Sequence, residues 1–225
     1  MKKQNLFTFI NAVLFLLTTF HQETRSQQTS IMTDIRDGCI YKTVILGGQT
    51  WMAENLNYIT SDGSWCYNND SINCERYGRL YNWETAKEVC PAGWHLPSKA
   101  EWDTLVIYLG GKEVAGSKLK SNSYWYTKHD SISNYAHVVE CSHKNTEKKH
   151  DSILINSSYF SGLPGGGYYA GGIFDYEGEF GIWWSATGYN PYNAFYFSLF
   201  DTSTEAGIIH HALNSTGFSV RCIKD

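Results

Sequence analysis

The amino-acid sequence predicts a disulfide-stapled α+β domain in which two helices pack on antiparallel strands. Strand-like segments come first, two helical segments follow, and a run of strand-like segments ends the chain, an order typical of α+β proteins. The chain has 225 residues and is 42% hydrophobic, which is enough for one domain with a substantial core. Aromatic residues reach 16%, so their rings either thicken the core or line a binding face.

Residues 1–26 have the composition of a secretory signal peptide. Two lysines follow the initial methionine, residues 6–20 are largely apolar, and Thr24 and Ser26 are small residues just before the expected cleavage position. A buried N-terminal helix is the alternative interpretation. We therefore expect a secreted protein, extracellular or periplasmic. Because no cysteine directly follows the apolar run, we expect no lipid anchor.

The charge balance limits the class of partner. A formal net charge of −4 at pH 7 gives no electrostatic reason to expect a nucleic acid or an anionic membrane surface. After the leader, the sequence contains no apolar run of the roughly 20 residues that a spanning helix needs. We therefore expect neither nucleic acid nor a membrane span, and a polysaccharide or a cell-surface protein stays open as partner.

The cysteines predict a disulfide framework, since an even number in an exported chain favours pairing. The 6 cysteines are Cys39, Cys66, Cys74, Cys90, Cys141 and Cys222. Cys66 and Cys74 bracket a polar loop that can close on itself, and Cys90 with Cys222 would tie a helix end to the last strand. On chain entropy, the long loop would contribute about 5 kcal/mol and the short loop about 2.6 kcal/mol. Cys39 and Cys141 pair by elimination, and a free thiol is the alternative for each cysteine.

The N-terminal part of the mature chain predicts a β-hairpin followed by a loop. Residues 40–46 are rich in β-branched side chains, and Gly47-Gly48 supplies the turn. Residues 49–57 would form the return strand, running into a loop. Residues 60–77 are dominated by Ser, Asp, Gly and Asn, which predicts a loop pinned by the short disulfide.

Two helices are predicted next. The first presents one apolar face at helical spacing and ends before Pro91; that face is Leu80, Trp83, Ala86, Val89 and Cys90. The second begins with a capping box formed by Ser98 and Glu101 and ends at Gly110-Gly111. Its apolar stripe is Trp102, Leu105, Val106 and Leu109. Both stripes are interpreted as core.

The remaining chain is an insertion followed by strands. Residues 127–151 are rich in His and Lys but match no compact ligand motif, so we favour a solvated loop over a metal site. The glycine run at residues 162–167 lacks the Lys-Ser/Thr and helix start of a phosphate loop. The strand-like segments are residues 181–187, 194–200 and 217–223, with a weaker one at 205–213.

Several motifs occur in a specific order along the chain. They are Asp37-Gly38 with Tyr41-Lys42-Thr43-Val44, Gln49-Thr50-Trp51-Met52-Ala53-Glu54-Asn55-Leu56-Asn57, Tyr77-Gly78-Arg79-Leu80-Tyr81-Asn82-Trp83, Cys90-Pro91-Ala92-Gly93-Trp94-His95-Leu96-Pro97-Ser98, Glu101-Trp102, Leu163-Pro164-Gly165-Gly166, Trp183-Trp184-Ser185-Ala186-Thr187 and Gly217-Phe218-Ser219-Val220-Arg221-Cys222. Over residues 34–225 the chain therefore resembles the Fibrobacter succinogenes major paralogous domain, a family of exported bacterial proteins. The stretch around Cys141 departs from the pattern as an insertion, and Cys39 departs from it as well.

The resemblance implies a fold but no settled activity. The start of the second helix and the Arg-Cys ending are also similar to C-type-lectin-like folds and to their sulfatase-modifying relatives. In lectin-like folds a disulfide joins the first helix to the final strand, which supports the pairing of Cys90 with Cys222. The fold that the resemblance implies is therefore C-type-lectin-like.

The function predicted first is that of a secreted, non-catalytic binding module, with carbohydrate as one candidate ligand. The residues singled out for ligand binding are Tyr168, Tyr169, Trp183, Trp184 and Tyr192, within a wider aromatic set that includes Tyr189 and Tyr196. Flat rings stack on sugar faces, although neighbouring residues of a strand face opposite ways, so at least one of the adjacent tryptophans should be buried. Asn190-Pro191-Tyr192 lacks the acidic partner of a lectin motif, so no calcium site is expected.

Two other functions stay open from the sequence. A surface or matrix assembly protein with no small ligand would fit the same scaffold. An enzyme related to formylglycine-generating proteins would need a late pair of cysteines, whereas Cys222 alone lies late. Gly-x-Ser-x-Gly is absent, and His210 and His211 are adjacent strand residues that face opposite ways. We therefore predict no catalytic residue, no metal and no cofactor.

Overall fold

A computed structural model describes residues 28–125 and 156–225 of the chain. The predicted signal peptide at residues 1–26, the predicted insertion at 127–151 and Cys141 lie outside the described residues. The described residues form an α+β fold with a five-stranded, a six-stranded and a two-stranded sheet, in which nearly all neighbouring strands are antiparallel. The predicted α+β class is confirmed.

The described elements have the following bounds. The strands are β1 (Thr29–Thr33), β2 (Ile40–Leu46), β3 (Gln49–Met52), β4 (Ser64–Trp65), β5 (Leu80–Tyr81), β6 (Trp94–His95), β7 (Gly165–Tyr169), β8 (Ile173–Glu177), β9 (Phe180–Asn190), β10 (Asn193–Phe200), β11 (Ala206–Leu213), β12 (Phe218–Ser219) and β13 (Ile223–Lys224). The helices are α1 (Ser71–Tyr77), α2 (Trp83–Glu88), α3 (Lys99–Tyr108) and α4 (Lys112–Leu119), and a 3₁₀ turn (Tyr67–Asn69) precedes α1.

The five-stranded sheet has the order β1-β2-β3-β13-β6 and contains the predicted hairpin. Leu46 pairs with Gln49 across a two-residue turn. Gly47 and Gly48 both have positive φ, 60° and 82°, which is the backbone that favours glycine in a tight hairpin turn. The return strand ends at Met52 rather than at residue 57.

The six-stranded sheet has the order β11-β10-β9-β12-β5-β4, and its central strand β9 is covered on both faces. Trp183 belongs to a cluster with Trp102 of α3, Leu119 of α4 and other buried residues. Its neighbour Trp184 belongs to a second cluster with Ala86 of α2. Because adjacent strand residues point to opposite faces, β9 separates the core into two apolar layers.

The helices confirm one prediction in detail and correct others. In α3, Ser98 Oγ accepts from the Glu101 backbone N–H, and the Glu101 carboxylate accepts from the Ser98 N–H, as the capping box requires. The helix predicted from residue 80 begins only at Trp83, since residues 80 and 81 pair in the sheet as β5. Residues 71–77, predicted as loop, form α1, whose N-terminus is capped by the Asp70 carboxylate. Four helices, rather than two, are present in the described ranges.

Both predicted disulfides that lie within the described residues are formed. Cys66 pairs with Cys74 and Cys90 pairs with Cys222, with Cα–Cα distances of 4.9 and 5.9 Å. The first closes the segment that carries the 3₁₀ turn and α1. The second joins the end of α2 to the final strand region. The pairing of Cys39 with Cys141 stays a prediction.

A buried polar hub connects the two halves of the chain. Asn55 Oδ1 accepts from Trp183 Nε1 at 2.8 Å and from Arg221 Nε and Nη2 at 3.1 and 2.5 Å. The Asn55 side chain donates in turn to the Tyr77 carbonyl at 2.8 Å. Arg221 is fully buried and its guanidinium lies 4.2 Å from the Phe160 ring centre. Burial lowers the pKa of Arg221 to about 9, so the side chain keeps its charge at neutral pH.

A histidine between two carboxylates ties β6 to α3 and to the last residues. His95 Nδ1 lies 2.6 Å from Asp225 Oδ1, and Nε2 lies 2.8 Å from Glu101 Oε1. A neutral imidazole has one N–H and can donate to only one of them, whereas the protonated ring donates to both. Burial alone would lower the pKa of His95, but the hydrogen bonds to Asp225 and Glu101 outweigh burial and raise it above 6.5.

We expect this histidine to make stability depend on pH. Because the folded pKa is raised, its contribution is complete below pH 6.5 and is lost as pH rises through the folded pKa. The partly exposed site limits the effect to below about 1 kcal/mol. Urea unfolding between pH 6 and pH 9 should show a decline that is smaller in His95→Gln. An equal decline in both proteins would contradict the assignment.

Candidate functional site

The hairpin of β7 and β8 packs beside β9 and brings its aromatic residues onto the six-stranded sheet. The last three glycines of the run predicted not to be a phosphate loop, residues 165–167, lie in β7. At Gly166, a Cβ atom would lie 2.3 Å from the Asp175 carbonyl oxygen, so no side chain fits there. The glycines therefore allow the two hairpin strands to approach closely.

Five aromatic residues from the four strands β7, β8, β9 and β10 form a cluster of rings, which we name the aromatic face. It consists of Tyr169, Tyr176, Phe180, Tyr196 and Phe200. The rings of Tyr176 and Phe180 stack at 4.6 Å with planes 6° apart. Phe180 meets Phe200 edge-on at 4.8 Å, and Tyr169 meets Tyr176 edge-on at 5.8 Å. The buried Phe218 ring contacts both Tyr169 and Tyr196, at 5.9 and 5.1 Å, and so joins the fifth ring to the other four.

The strand register explains why these rings share one side. Phe180 pairs with Phe200 across the ladder, and Tyr196 pairs with Trp184. Directly paired residues point to the same face of a sheet, so the aromatic face continues the second core layer outwards. Tyr176 is 39% exposed, and the other four rings are half-buried. The face is thus anchored by packing and partly exposed to solvent.

Tyr176 reaches the face through an unusual backbone. Its φ of 68° is positive, which is uncommon for a residue with a side chain. Regular alternation along β8 would place Tyr176 on the side of Phe174, whereas its ring contacts Tyr169 and Phe180. Such a conformation costs about 1–3 kcal/mol and persists only where surrounding contacts impose it.

Tyr169 and Tyr196 of the face stay neutral over the physiological pH range. Burial raises the pKa of Tyr169 and of Tyr196. A neutral phenol can both donate and accept a hydrogen bond. The face therefore combines flat apolar rings with hydroxyl groups that suit an uncharged, hydroxyl-rich ligand.

The comparison with known families matches most of the chain. A family model described as the Fibrobacter succinogenes major domain matches residues 44–224. The chain belongs to this family. The resemblance seen in the sequence is thereby confirmed, and the matched range of the domain includes both disulfides and the whole aromatic face. Neither the search of curated proteins nor the search of solved structures found a match.

In this Fibrobacter succinogenes major domain, the five aromatic residues singled out from the sequence do not form one site. Tyr169 belongs to the aromatic face, while Tyr168 points to the other side of the hairpin and stacks on Trp65 at 4.2 Å. Trp183 and Trp184 are both 0% exposed, because helices cover one face of β9 and the second core layer covers the other. Burial removes these two tryptophans from any ligand surface.

Tyr192 is the most exposed of the predicted ligand residues, at 75%, but it is not part of the aromatic face. It occupies the turn between β9 and β10, and the 11 residues of β9 separate it from Phe180. At about 3.3 Å per residue, the two are roughly 30 Å apart. The Asn190 side chain accepts from the backbone N–H groups of Tyr192 and Asn193, so Asn190 stabilises the turn.

Sequence reasoning missed three members of the domain's aromatic face: Tyr176, Phe180 and Phe200. Aromatic residues repeating along residues 174–180 were a visible signal. The register that places Phe180 opposite Phe200 was not visible, and neither was the backbone that redirects Tyr176. Within the described ranges, no group of three or more His, Cys, Asp or Glu side chains could hold a metal ion. No helix in those ranges is long and apolar enough to cross a membrane.

Proposed function

We propose that this Fibrobacter succinogenes major domain is a secreted, non-catalytic binding module that holds polysaccharide on its aromatic face. The observation that carries the proposal is a cluster of five partly exposed aromatic rings fixed by packing. Four of them contact one another directly, and buried Phe218 joins the fifth, Tyr196, to the cluster. Flat rings bury large apolar area and match the apolar faces of sugar rings. Neutral phenols supply hydrogen bonds to sugar hydroxyls.

The scaffold supports the same proposal. Two disulfides suit an oxidising compartment outside the cytoplasm, in agreement with the signal peptide expected at residues 1–26. The Cys90–Cys222 bond joins a helix end to the final strand region, which is the connection expected of a C-type-lectin-like fold. We infer that fold for the domain, with variable binding surfaces carried on one stapled scaffold.

Removing the Tyr176 ring tests the proposal directly. Glycine adopts positive φ without strain, so Tyr176→Gly deletes the most exposed ring of the face while relieving its backbone. We expect retention on the polysaccharide that the unaltered protein binds to weaken about tenfold, equivalent to about 1.4 kcal/mol. Depletion assays with cellulose, xylan, mannan and chitin, using the oxidised protein, would measure the affinity.

The matched control is Tyr192→Gly, which removes a more exposed tyrosine that lies outside the aromatic face, roughly 30 Å from Phe180 at the far end of β9. It should leave retention unchanged. Equal weakening in both variants would locate binding elsewhere. If the folded, oxidised protein binds none of the polysaccharides, the proposal fails, and pull-down from surface extracts would then favour the assembly role.

A further inference from the structure

A second concave site lies between the five-stranded sheet, α1 and residues 161–163. This cleft has a volume of about 250 Å³. The residues that matter for its chemistry are Asn57, Arg76, Tyr77, Tyr124, Glu54 and Lys42. Drug-sized ligands occupy sites of roughly 300–1,000 Å³, so the cleft suits a smaller molecule, of the size of one sugar ring.

Two polar atoms of cleft residues are buried without a hydrogen-bond partner among the described residues: Asn57 Oδ1 and Arg76 Nε. One is an acceptor and the other is a donor. Leaving such a group unsatisfied costs about 1–3 kcal/mol. Both side chains line the cleft, but these two atoms have almost no solvent-accessible surface, so a ligand reaches them only when the side chains turn toward the cleft. A hydroxyl group both donates and accepts, so a polyhydroxyl ligand could then satisfy both atoms.

The walls of the cleft are aromatic. The rings of Tyr77 and Tyr124 meet edge-on at 5.8 Å, and the Arg76 guanidinium lies 5.2 Å from the centre of the Tyr124 ring. Tyr124 has a positive φ of 71°, a strained conformation of the kind that clusters at ligand sites. Burial raises the pKa of Tyr77, so its phenol stays neutral.

The charges around the cleft balance, which argues for a neutral ligand. Lys42 and Arg76 are matched by Glu54 and Glu75. Arg76 Nη1 also lies 3.9 Å from Glu177 Oε1. Glu177 follows Tyr176 in β8, so the cleft and the aromatic face adjoin the same strand. We infer that the cleft binds a single neutral pyranose unit through Asn57 and Arg76. This inference rests on the proposed carbohydrate function and adds a second, separate subsite to it.

Two substitutions test the cleft without removing its charge or its walls. Arg76→Lys keeps the cation beside Glu177 but removes the Nε donor, and Asn57→Ala removes the unpaired acceptor. Arg79→Lys is the matched control, because Arg79 Nε is likewise buried and unpartnered in the described part of the chain but Arg79 does not line the cleft. Tyr176→Gly is the second control, because it removes a ring of the aromatic face and no residue that lines the cleft.

The probes are free glucose, mannose, galactose, xylose and N-acetylglucosamine, measured by saturation-transfer NMR and titration on the oxidised protein. We expect one of them to bind, with at least fivefold weaker affinity in Arg76→Lys and in Asn57→Ala, and unchanged affinity in Arg79→Lys and Tyr176→Gly. Retained polysaccharide binding with no monosaccharide binding would overturn the cleft and leave the face. Monosaccharide binding that is lost only in Tyr176→Gly would overturn the cleft as well. Cleft-dependent monosaccharide binding without polysaccharide retention would support the cleft and refute the face.

Discussion

Replacing Cys90 and Cys222 together by alanine should lower the free energy of unfolding by about 5 kcal/mol. The bond joins residues 132 positions apart, and on chain entropy a cross-link contributes more when it closes a longer loop. A domain of ordinary stability has about 5–15 kcal/mol in total, so the variant should be close to unfolding at 37 °C. Urea unfolding of both oxidised proteins would measure the difference.

The double variant at Cys66 and Cys74 is the control for this prediction. Its cysteines are 8 positions apart, and its loss should be about 2.6 kcal/mol. A larger loss for the short loop than for the long one would contradict the chain-entropy argument. It would show that native packing around each bond, rather than the unfolded ensemble, sets the stabilisation.

Asn55→Ala should destabilise the domain by about 4 kcal/mol, because it leaves several buried groups unpaired at about 1–3 kcal/mol each. Its Oδ1 is the shared acceptor for Trp183 Nε1 and for two nitrogens of Arg221. The variant would therefore leave a buried cation without its main acceptor, which is among the costliest changes a core can suffer. Thermal and urea unfolding would both report the loss.

Asn57→Ala offers a matched comparison for Asn55→Ala. The two asparagines are close in sequence, but Asn57 Oδ1 has no hydrogen-bond partner among the described residues. Because this buried acceptor is unsatisfied, its removal breaks no hydrogen bond and should leave the free energy of unfolding unchanged or raise it by up to about 1–3 kcal/mol. Similar losses in the two variants would mean that the polar hub does not stabilise the fold.

Features with local causes could be predicted from the sequence. The β2–β3 hairpin follows from β-branched residues around Gly47-Gly48, and the start of α3 follows from the Ser98–Glu101 capping box. Both disulfides in the described ranges could also be predicted, because Cys66 and Cys74 are close in sequence and Cys90 follows a helix. Each of these depends on residues that lie near one another, except the Cys90–Cys222 pairing, which the resemblance to lectin-like folds also supported.

Features that depend on distant segments could not be predicted. The helix α1 was hidden because its sequence is polar, and what holds it is the Asp70 cap and the disulfide at Cys74. Trp183 and Trp184 are both buried because residues from distant parts of the chain pack on the two faces of β9. The aromatic face needs the β9–β10 register and the positive φ of Tyr176, and no periodicity in the sequence reports either of them.

The long disulfide also has a consequence for the effect of proteolysis. Cys90 lies before residues 126–155 and Cys222 lies after them. A single cut anywhere in that interval would divide the polypeptide but would leave the two fragments covalently joined. A nicked molecule could therefore keep its halves together, and with them the hydrogen bonds that Arg221 makes to Asn55 across the cut.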